Sequence, residues 1–280
     1  MNWKRIAAPM AAIALLCGFS ACGQTATAQE SQQLKVVTTI FPAYDWVREL
    51  AQGEQPQLRL LLDDGVDLHS YQPTAQDMVD IANCDLFIYV GGQSEHWVDD
   101  VLEQTHNPDR VVVNLMEVLG DRVKEEEYVQ GMEHTHDHEE EHDHEQEQGH
   151  EEEHEHEDDE HIWLSLQNAE ILCKEISSQL QKLDKDNQQQ YQQNTDAYLE
   201  KLNQLDEQYR QVVQNATGNT LIFADRFPFR YLVDDYGLDY YAAFSGCSAE
   251  TEASFETVSL LASKVQELQV PAELTIEGSN

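Results

Sequence analysis

Histidine and acidic side chains are concentrated between Glu133 and Glu160, directly before His161. Imidazole and carboxylate groups are ligands for Zn, Ni, Cu or Mn, so the composition of this stretch points first to a metal. The stretch cannot bury apolar surface and its negative charges repel one another, so we expect a disordered loop over residues 124–160. A solvated charge run without function is the alternative interpretation. The histidines of the loop are His134, His136, His138, His142, His144, His150, His154 and His156.

A second set of potential ligands is scattered along the chain at the ends of expected strands. His69 follows the second strand of the pattern, Asp225 follows a later one, and Glu277 follows the last. His161 shortly precedes a helix, as a residue in a loop at the same edge would. Ligands of parallel α/β sheets bind beyond the carboxyl ends of the strands, so these residues could converge on one cleft. Two imidazoles with one or two carboxylates suit Zn(II), and Mn(II) becomes possible as carboxylates replace imidazoles.

The elements that would position these residues alternate between strand and helix, which predicts parallel strands with helices on both faces. The predicted fold class is therefore α/β, with two lobes that each contain a parallel sheet flanked by helices. Predicted strands cover residues 34–40, 57–62, 86–90, 111–115, 220–223, 239–244 and 273–276. Predicted helices cover residues 44–50, 74–83, 95–103, 167–183, 229–236 and 254–268.

One long helix, from Asp186 to about Asn215, is predicted to bridge the two lobes. Apolar residues within it recur four and three apart, which indicates one apolar seam along the whole helix. A coiled-coil dimer is the generic alternative, but only about three heptads are present and one seam position is Thr. The seam consists of Tyr191, Thr195, Tyr198, Leu202, Leu205, Tyr209 and Val212.

The pattern also predicts the domain organisation of the chain. We expect a lipoprotein signal peptide over residues 1–21, a flexible tether over 22–33, an N-terminal lobe over 34–185, the linking helix over 186–216 and a C-terminal lobe over 217–280. No crossover helix follows the last predicted strand, so we expect the C-terminal lobe to be truncated.

The amino terminus has the pattern of an export signal. Lys4 and Arg5 precede an apolar run, Ile6 to Leu16, which is shorter than the ~20 residues of a membrane-spanning helix. Small residues directly before Cys22 are similar to a bacterial lipoprotein box, in which Cys22 would become the lipidated first residue. An ordinary signal peptide, or lipidation at Cys17, is the alternative.

The net charge indicates which ligands the protein binds, and the cysteine spacings indicate the state of its thiols. The formal net charge is -38, and residues 124–160 contribute -18 of it through 19 acidic residues and one Lys. The rest of the chain is acidic as well, so cations rather than nucleic acids are the expected partners. Cys84 and Cys173 lie in apolar patterns and should be buried, whereas Cys247 should lie in a loop. Their spacings form neither a disulfide framework nor a CxxC metal site.

Several sequence segments match those of a known family. They are Thr39 to Tyr44, Gly65 to Pro73, Gly91 to Trp97, His161 to Leu164, Tyr231 to Leu238 and Glu250 to Ser254. On these segments the chain, from Leu34 to Asn280, resembles the zinc and manganese substrate-binding lipoproteins of bacterial ABC importers (cluster A-I). The resemblance implies two α/β lobes bridged by one long rigid helix, and a transport receptor rather than an enzyme.

The resemblance also implies metal ligands. His69 and His161 match two histidine ligands of the family, and Glu277 matches the carboxylate ligand of the second lobe. A His-rich acidic loop just before the second ligand is typical of the zinc-importing branch. The family's third ligand is a His or Glu, but Arg226 occupies that position here, and its guanidinium has no lone pair to offer. Asp225, water or a loop histidine could replace it.

Two further acidic residues, Glu250 and Glu252, are expected to pair with Arg226 or Arg230 in a structural role rather than to bind the metal. They follow Cys247 in the second predicted lobe. Ion pairing is the usual role of a carboxylate beside a guanidinium, because the guanidinium presents several donors to it.

These features together predict a monomeric receptor, extracytoplasmic and lipid-anchored to the bacterial cell membrane or periplasmic. It would capture Zn(II) in the cleft between the lobes and deliver it to an ABC permease, with the His-rich loop as an accessory collector. A manganese receptor and a metal-buffering or adhesin surface lipoprotein that uses the loop alone are alternatives. A metallohydrolase is a further alternative, which would need an open coordination position on the metal and a general base.

Overall fold

Strands and helices alternate along the chain as predicted. The structure, a computed structural model, describes residues 33–63, 66–132, 157–248 and 253–276. The strands are β1 (Lys35–Thr38), β2 (Gln57–Leu60), β3 (Leu86–Tyr89), β4 (Val111–Asn114), β5 (Thr220–Phe227) and β6 (Asp239–Ser245). The helices are α1 (Phe41–Leu50), α2 (Ala75–Asn83), α3 (Trp97–Gln104), α4 (Leu115–Leu119), α5 (Leu166–Leu183), α6 (Gln188–Asn215), α7 (Arg230–Tyr236) and α8 (Phe255–Leu268).

The N-terminal lobe is built on four parallel strands in the order β2-β1-β3-β4. All residues of β3 and most of β1 are buried, as expected for central strands covered by helices on both faces. Strand order reverses between β1 and β3, so the loops beyond their carboxyl ends diverge and leave a crevice. The segments after β2 and β3 meet at this edge of the sheet.

Helix α2 fixes the segment after β2. Thr74 and Asp77 form a capping box at the predicted start of the helix, and each bonds the backbone of the other. Asp77 also accepts a hydrogen bond of 2.8 Å from the hydroxyl of Tyr71. The start of the helix is therefore tied to the turn that carries His69.

Helix α6 packs antiparallel to α5, and the side chains of Thr195 and Ser177 are joined by a hydrogen bond of 2.6 Å. The predicted apolar seam is buried over only part of the helix. Tyr191, Thr195 and Leu202 are buried, whereas Leu205, Tyr209 and Val212 are 41%, 40% and 68% exposed. The second half of α6 is exposed because α6 has 28 residues, whereas its partner α5 has only 18 and does not cover it. Beyond the end of α5, Tyr209 stacks on Tyr236 of α7 at 5.3 Å.

The C-terminal lobe contains a parallel pair, β5 and β6, with helix α8 packed against it. Two sequence expectations need correction here. Strand β5 continues through Phe227, because pairing resumes after an irregularity between Phe223 and Arg226. The strand predicted at 273–276 is reduced to one parallel bridge between Phe223 and Leu274. Asp225 therefore lies within a strand rather than after one.

The hydrophobic core is divided between the lobes. The larger cluster lies between the N-terminal sheet and helices α1, α5 and α6, and it extends to Tyr231 of α7. Two smaller clusters surround β5 and β6. Cys84 and Cys173 are buried free thiols, as predicted. Among the described residues, no helix combines the length and apolar character that crossing a bilayer requires.

Candidate metal centre

His69 is held at the edge of the N-terminal sheet by a short 3-10 turn, Leu68–Ser70, that follows β2. The carboxylate of Asp67 caps this turn by accepting the backbone N–H of His69 at 2.9 Å. The side chain is oriented as well, because its Nδ1 lies 2.7 Å from the hydroxyl of Ser94. Nε2 is therefore the nitrogen directed away from Ser94, toward the ring of His161.

The loop after β3 brings Ser94 to this position through two glycines. Gly91 and Gly92 both have positive φ, at 95° and 83°. A Cβ on Gly92 would lie 2.4 Å from Oε1 of Glu160, and that same oxygen accepts the backbone N–H of Ser94 at 2.8 Å. The absence of a side chain thus lets the loop pack directly on the residue that precedes His161.

His161 is buried, with 8% of its surface exposed. Its Nδ1 lies 2.9 Å from Oδ1 of Asp159, which also accepts its backbone N–H at 2.8 Å. A carboxylate on the far nitrogen of a histidine fixes the ring and makes the other nitrogen a better metal ligand. The ring packs against Trp163, with centroids 5.4 Å apart.

The two histidines meet through the nitrogens that their neighbours leave free. Nε2 of His69 lies 3.5 Å from Nε2 of His161. Two nitrogens that bind one tetrahedral zinc ion at ~2.0 to 2.1 Å are separated by about 3.4 Å. The observed separation is therefore that of a pair of zinc ligands with little movement required.

Cys247 is a third potential ligand that the sequence prediction missed. It lies in the turn after β6, and its ligand atom and those of His69 and His161 all lie within 4.8 Å of one another. Its backbone N–H donates to Oε1 of Glu126 at 2.9 Å. The rule that directed attention to His69, a ligand type just beyond a strand's carboxyl end, applies equally to Cys247.

Burial favours the uncharged forms of the His69 imidazole and the Cys247 thiol. Burial, and then the neighbouring His161, lower the pKa of His69, so its imidazole is neutral and has a lone pair to offer. Burial, and then the carboxylates of Glu126 and Asp159, raise the pKa of the Cys247 thiol. The thiol therefore carries its proton, which a bound metal would displace.

The residues considered as a third ligand from sequence have other partners. Arg226 Nη1 lies 3.2 Å from Oδ2 of Asp67, so the guanidinium supports the residue that caps the His69 turn. Asp225 accepts the backbone N–H of Arg226 at 2.7 Å and that of Ile276 at 3.1 Å. Within the described ranges Asp225 does not join the group formed by the two histidines and the cysteine.

Arg230 also finds carboxylate partners among the described residues. It lies 3.3 Å from Glu127 and 3.8 Å from Asp234. The predicted pairing of arginines with Glu250 and Glu252 concerns residues outside the described ranges. Glu277, Cys22 and the eight loop histidines lie outside them too, and their roles stay predictions.

The base of the His-rich insertion is ordered and adjoins the site. Residues 124–126 pair antiparallel with 157–159, through hydrogen bonds of 2.8 Å from Glu126 to Glu157 and from Asp159 to Lys124. The hydroxyl of Tyr231 joins both sides, since it donates to the carbonyl of Asp159 at 2.7 Å and accepts the N–H of Lys124 at 3.0 Å. The insertion therefore returns to the fold just before His161.

The chain is similar to proteins of one family over almost all of its described length. A family model described as zinc-uptake complex component A, periplasmic, matches residues 36–280. The high-affinity zinc uptake system protein ZnuA of Bacillus subtilis is 31% identical over 255 residues, covering 90% of this chain and 74% of that protein. The manganese ABC transporter substrate-binding lipoprotein PsaA of Streptococcus pneumoniae is 30% identical over 283 residues, covering 99% of this chain and 83% of that protein.

A solved structure has the same fold. The crystal structure of the metal-dependent lipoprotein YcdH from Bacillus subtilis superposes with a TM-score of 0.69 at 26% sequence identity. The match covers 89% of this chain and 80% of that chain. The predicted α/β architecture with its long helix is confirmed by this similarity.

Proposed function

Because the chain belongs to the family of periplasmic zinc-uptake complex components A, we propose that it captures Zn(II) outside the cytoplasm and delivers it to an ABC permease. The family consists of transport receptors, so the metallohydrolase alternative falls away. One observation carries the proposal, namely the 3.5 Å separation of the Nε2 atoms of His69 and His161. The zinc ion is the cargo, bound in the crevice between the two lobes.

Capture would use groups that are already oriented. Ser94 and Asp159 hold the Nδ1 atoms of His69 and His161, so neither ring has to search for its rotamer when the ion arrives. Such pre-organisation avoids an entropic cost of binding. His69 is half-buried and His161 is buried, so the ion would enter past His69.

Zinc is favoured over manganese by the chemistry of the donors. Imidazole nitrogen suits Zn(II), whereas Mn(II) prefers carboxylate and other oxygen ligands. In the part of the chain that the structure describes, the cluster of potential ligand atoms is formed by His69, His161 and Cys247 and includes no carboxylate oxygen. A manganese receptor is the alternative, and the carboxylate of Glu277 would have to join the site to favour it.

The His-rich insertion would act as an accessory collector. Its eight histidines offer many interchangeable weak ligands, which would raise the local concentration of metal near the crevice. The ordered base of the insertion ends at Asp159, two residues before His161. Metal captured by the insertion would therefore be released beside the tight site.

Membrane attachment would come from lipid on Cys22, and the receptor would act as a monomer. The Cys22→Ser variant tests the attachment. It should appear in the soluble extracellular or periplasmic fraction and should take up no labelled fatty acid. A variant that stays in the membrane fraction would contradict the lipid anchor at this position.

Sedimentation of the processed protein tests the monomer, because a dimer would double the mass.

Calorimetric titration with Zn(II) and Mn(II) tests the site. His69→Ala and His161→Ala should each weaken the tight zinc site on the order of a hundredfold, since each removes one of a few ligands that share the binding free energy. His96→Ala and His106→Ala are matched controls, because both side chains are exposed and lie outside the group. Unchanged tight binding in the two site variants would overturn the proposal.

The same titration decides the open ligand assignments. Asp225→Ala should leave zinc affinity within a few fold, because the Asp225 carboxylate binds the backbone N–H groups of Arg226 and Ile276. A loss as large as that of His161→Ala would assign it as a ligand instead. Glu277→Ala should weaken binding if the predicted carboxylate ligand of the second lobe is correct, and unchanged binding would remove Glu277 from the site.

Deletion of residues 133–156 separates the collector from the site. The paired base should survive, because its backbone hydrogen bonds join residues 124–126 to 157–159. The deleted protein should retain one tight site per chain and lose the weaker sites. Loss of the tight site with the loop would show that the insertion itself is the receptor site.

A further inference from the structure

We propose that Cys247 is the third protein ligand of the transported ion and that its sulfur makes the site selective for Zn(II) over Mn(II). The inference rests on the proposed function, since it assigns a ligand within the same crevice. It concerns the thiol in the turn after β6, which joins the second lobe to the two histidines of the first.

The ligand atoms of His69, His161 and Cys247 lie close enough together to bind one metal ion. The Nε2 atoms of His69 and His161 are 3.5 Å apart, and all three ligand atoms lie within 4.8 Å of one another. In a tetrahedral zinc site, a sulfur at ~2.3 Å and a nitrogen at ~2.0 Å from the metal are about 3.6 Å apart. The thiol therefore needs to approach the histidines by roughly an ångström, which a rotation of the cysteine side chain can supply.

The backbone around Cys247 is built to hold it there. Gly246 lies against the His161 ring, and a Cβ on it would be 3.1 Å from the ring atoms Cε1 and Nδ1 and 3.0 Å from the carbonyl oxygen of Phe227. The backbone N–H of Cys247 is bonded to Glu126 at 2.9 Å. Close approach and a fixed amide thus place the next side chain beside the histidine.

Carboxylates surround the group, but each one already has a task. Asp159 binds Nδ1 and the backbone N–H of His161. Glu160 accepts the N–H of Ser94 at 2.8 Å through Oε1, and its Oε2 lies 3.6 Å from Nδ1 of His69, on the side of the ring away from His161. Glu126 accepts the N–H of Cys247. These contacts orient the ligands from behind, which leaves the sulfur as the third donor among the described residues.

Arg226 gives a reason for a ligand from a different strand. Its guanidinium is 3.2 Å from the Asp67 carboxylate and offers no lone pair. Strand β5 therefore places the Arg226 guanidinium at the position where a third ligand could have been, and the turn after β6 supplies the thiol of Cys247. When the ion binds, the S–H bond breaks, the sulfur lone pair binds the metal and the proton passes to solvent, with no change in oxidation state.

Selectivity follows from the softness of sulfur. Thiolate ligands prefer Zn(II), and Mn(II) prefers oxygen donors. A site with two imidazoles and a thiolate should therefore discriminate against manganese more strongly than one with a carboxylate in the third position. Replacing the thiol by a carboxylate is the corresponding test.

Cobalt substitution tests the ligand directly. Co(II) takes up tetrahedral zinc sites, and a cobalt–thiolate bond gives an intense near-ultraviolet charge-transfer band that imidazole and carboxylate do not give. The full-length protein should show this band at one equivalent of Co(II), and Cys247→Ser should lose it. Cys84→Ser is the matched control, because Cys84 is buried and donates to the Ile81 carbonyl, a bond that serine can keep. The control should retain the band.

Titrations with Zn(II) and Mn(II) complete the test. Cys247→Ser should weaken zinc binding on the order of a hundredfold. Cys247→Asp should lower the ratio of zinc affinity to manganese affinity by at least about tenfold. A wild-type cobalt complex without the charge-transfer band, or a Cys247→Ser variant with unchanged zinc affinity, would overturn the inference even if a variant folded poorly, because the first result needs no variant.

The failure of this inference and that of the proposed function give different results. If His161→Ala loses tight zinc while Cys247→Ser keeps it, the crevice is the receptor site and Cys247 is not a ligand. If His161→Ala and Cys247→Ser both keep tight zinc, both proposals fail together.

Discussion

The hydroxyl of Tyr231 donates to the carbonyl oxygen of Asp159 at 2.7 Å. Tyr231 belongs to α7 of the second lobe and is buried, whereas Asp159 lies at the base of the insertion and orients His161. The same hydroxyl accepts the N–H of Lys124 at 3.0 Å. One side chain of the C-terminal lobe thus fixes both sides of the base that leads to His161, the proposed metal ligand of the N-terminal lobe.

Tyr231→Phe should therefore destabilise the protein and weaken zinc binding together. The change leaves the partly buried N–H of Lys124 and the buried carbonyl of Asp159 without this partner, which costs about 1 to 3 kcal/mol in free energy of unfolding. Urea denaturation of the metal-free protein measures the first effect and calorimetry the second. Tyr236→Phe is the control, since its hydroxyl bonds the partly exposed Asp206 at 3.0 Å. Equal effects of the two substitutions would contradict the special role of Tyr231.

Gly246→Ala should lower zinc affinity with little effect on the fold. The new methyl group would meet the His161 ring at 3.1 Å, so either the ring or the Cys247 turn has to shift. Misplacement of one ligand by a few tenths of an ångström weakens a metal site whose geometry is fixed. Gly218→Ala is the matched control, because nothing lies within 4 Å of the Cβ position there. Affinities that are equal in both variants would argue against the close packing of Gly246 on the ligand.

Asp159→Asn should reduce zinc affinity about 10- to 100-fold, the usual effect of removing a carboxylate that supports a histidine ligand. The substitution keeps the size of the side chain but removes the charge 2.9 Å from Nδ1 of His161. Asp158→Asn, at the exposed neighbouring position, serves as the control and should change affinity little. A loss in both variants would point to general charge reduction instead of a specific contact.

Glu95→Gln should stabilise the metal-free protein at alkaline pH. Burial raises the pKa of Glu95 from 4.5 to about 7, despite the N–H that Gly91 donates to its carboxylate at 2.8 Å. The folded protein thus keeps a proton that the unfolded chain has lost, so the wild type loses stability as pH rises from about 4.5 through 7. The variant's advantage in free energy of unfolding should grow from near zero at acid pH to at most about 3 kcal/mol at pH ~8.

Urea denaturation of both proteins across this pH range, with a chelator present, measures the effect. Glu103→Gln, at an exposed position of α3, is the control and should show no growing advantage. A constant difference between Glu95→Gln and the wild type at all pH values would mean that folding does not raise the pKa of Glu95.

Much of the fold could be predicted because its signals are local. Apolar runs such as Leu86 to Val90 and the capping pair Thr74 and Asp77 depend on neighbouring residues, and the structure confirms them. The exposed second half of α6 could not be predicted in the same way. That exposure depends on where the antiparallel partner helix α5 begins, at Leu166. The apolar spacing within α6 does not contain this information.

The candidate site likewise contains residues that the local sequence indicates and residues whose position depends on tertiary contacts. The sequence placed His69 and His161 near strand ends, and the structure brings their rings together. Cys247 satisfies the same strand-end rule as His69, but its approach to His161 depends on the pairing of β5 with β6 and on the close contact at Gly246, which the local sequence does not contain. Asp225 was given a ligand's position because β5 was expected to end before it, whereas the strand continues through Phe227.

Anomalous diffraction at the zinc edge, from crystals of the zinc-loaded protein, tests the central claim most directly. We predict a single strong peak at ~2.0 to 2.1 Å from Nε2 of both His69 and His161, with Cys247 as the third protein donor. A strong peak elsewhere, with these two nitrogens unliganded, would contradict the assignment of the crevice as the site that carries the transported ion.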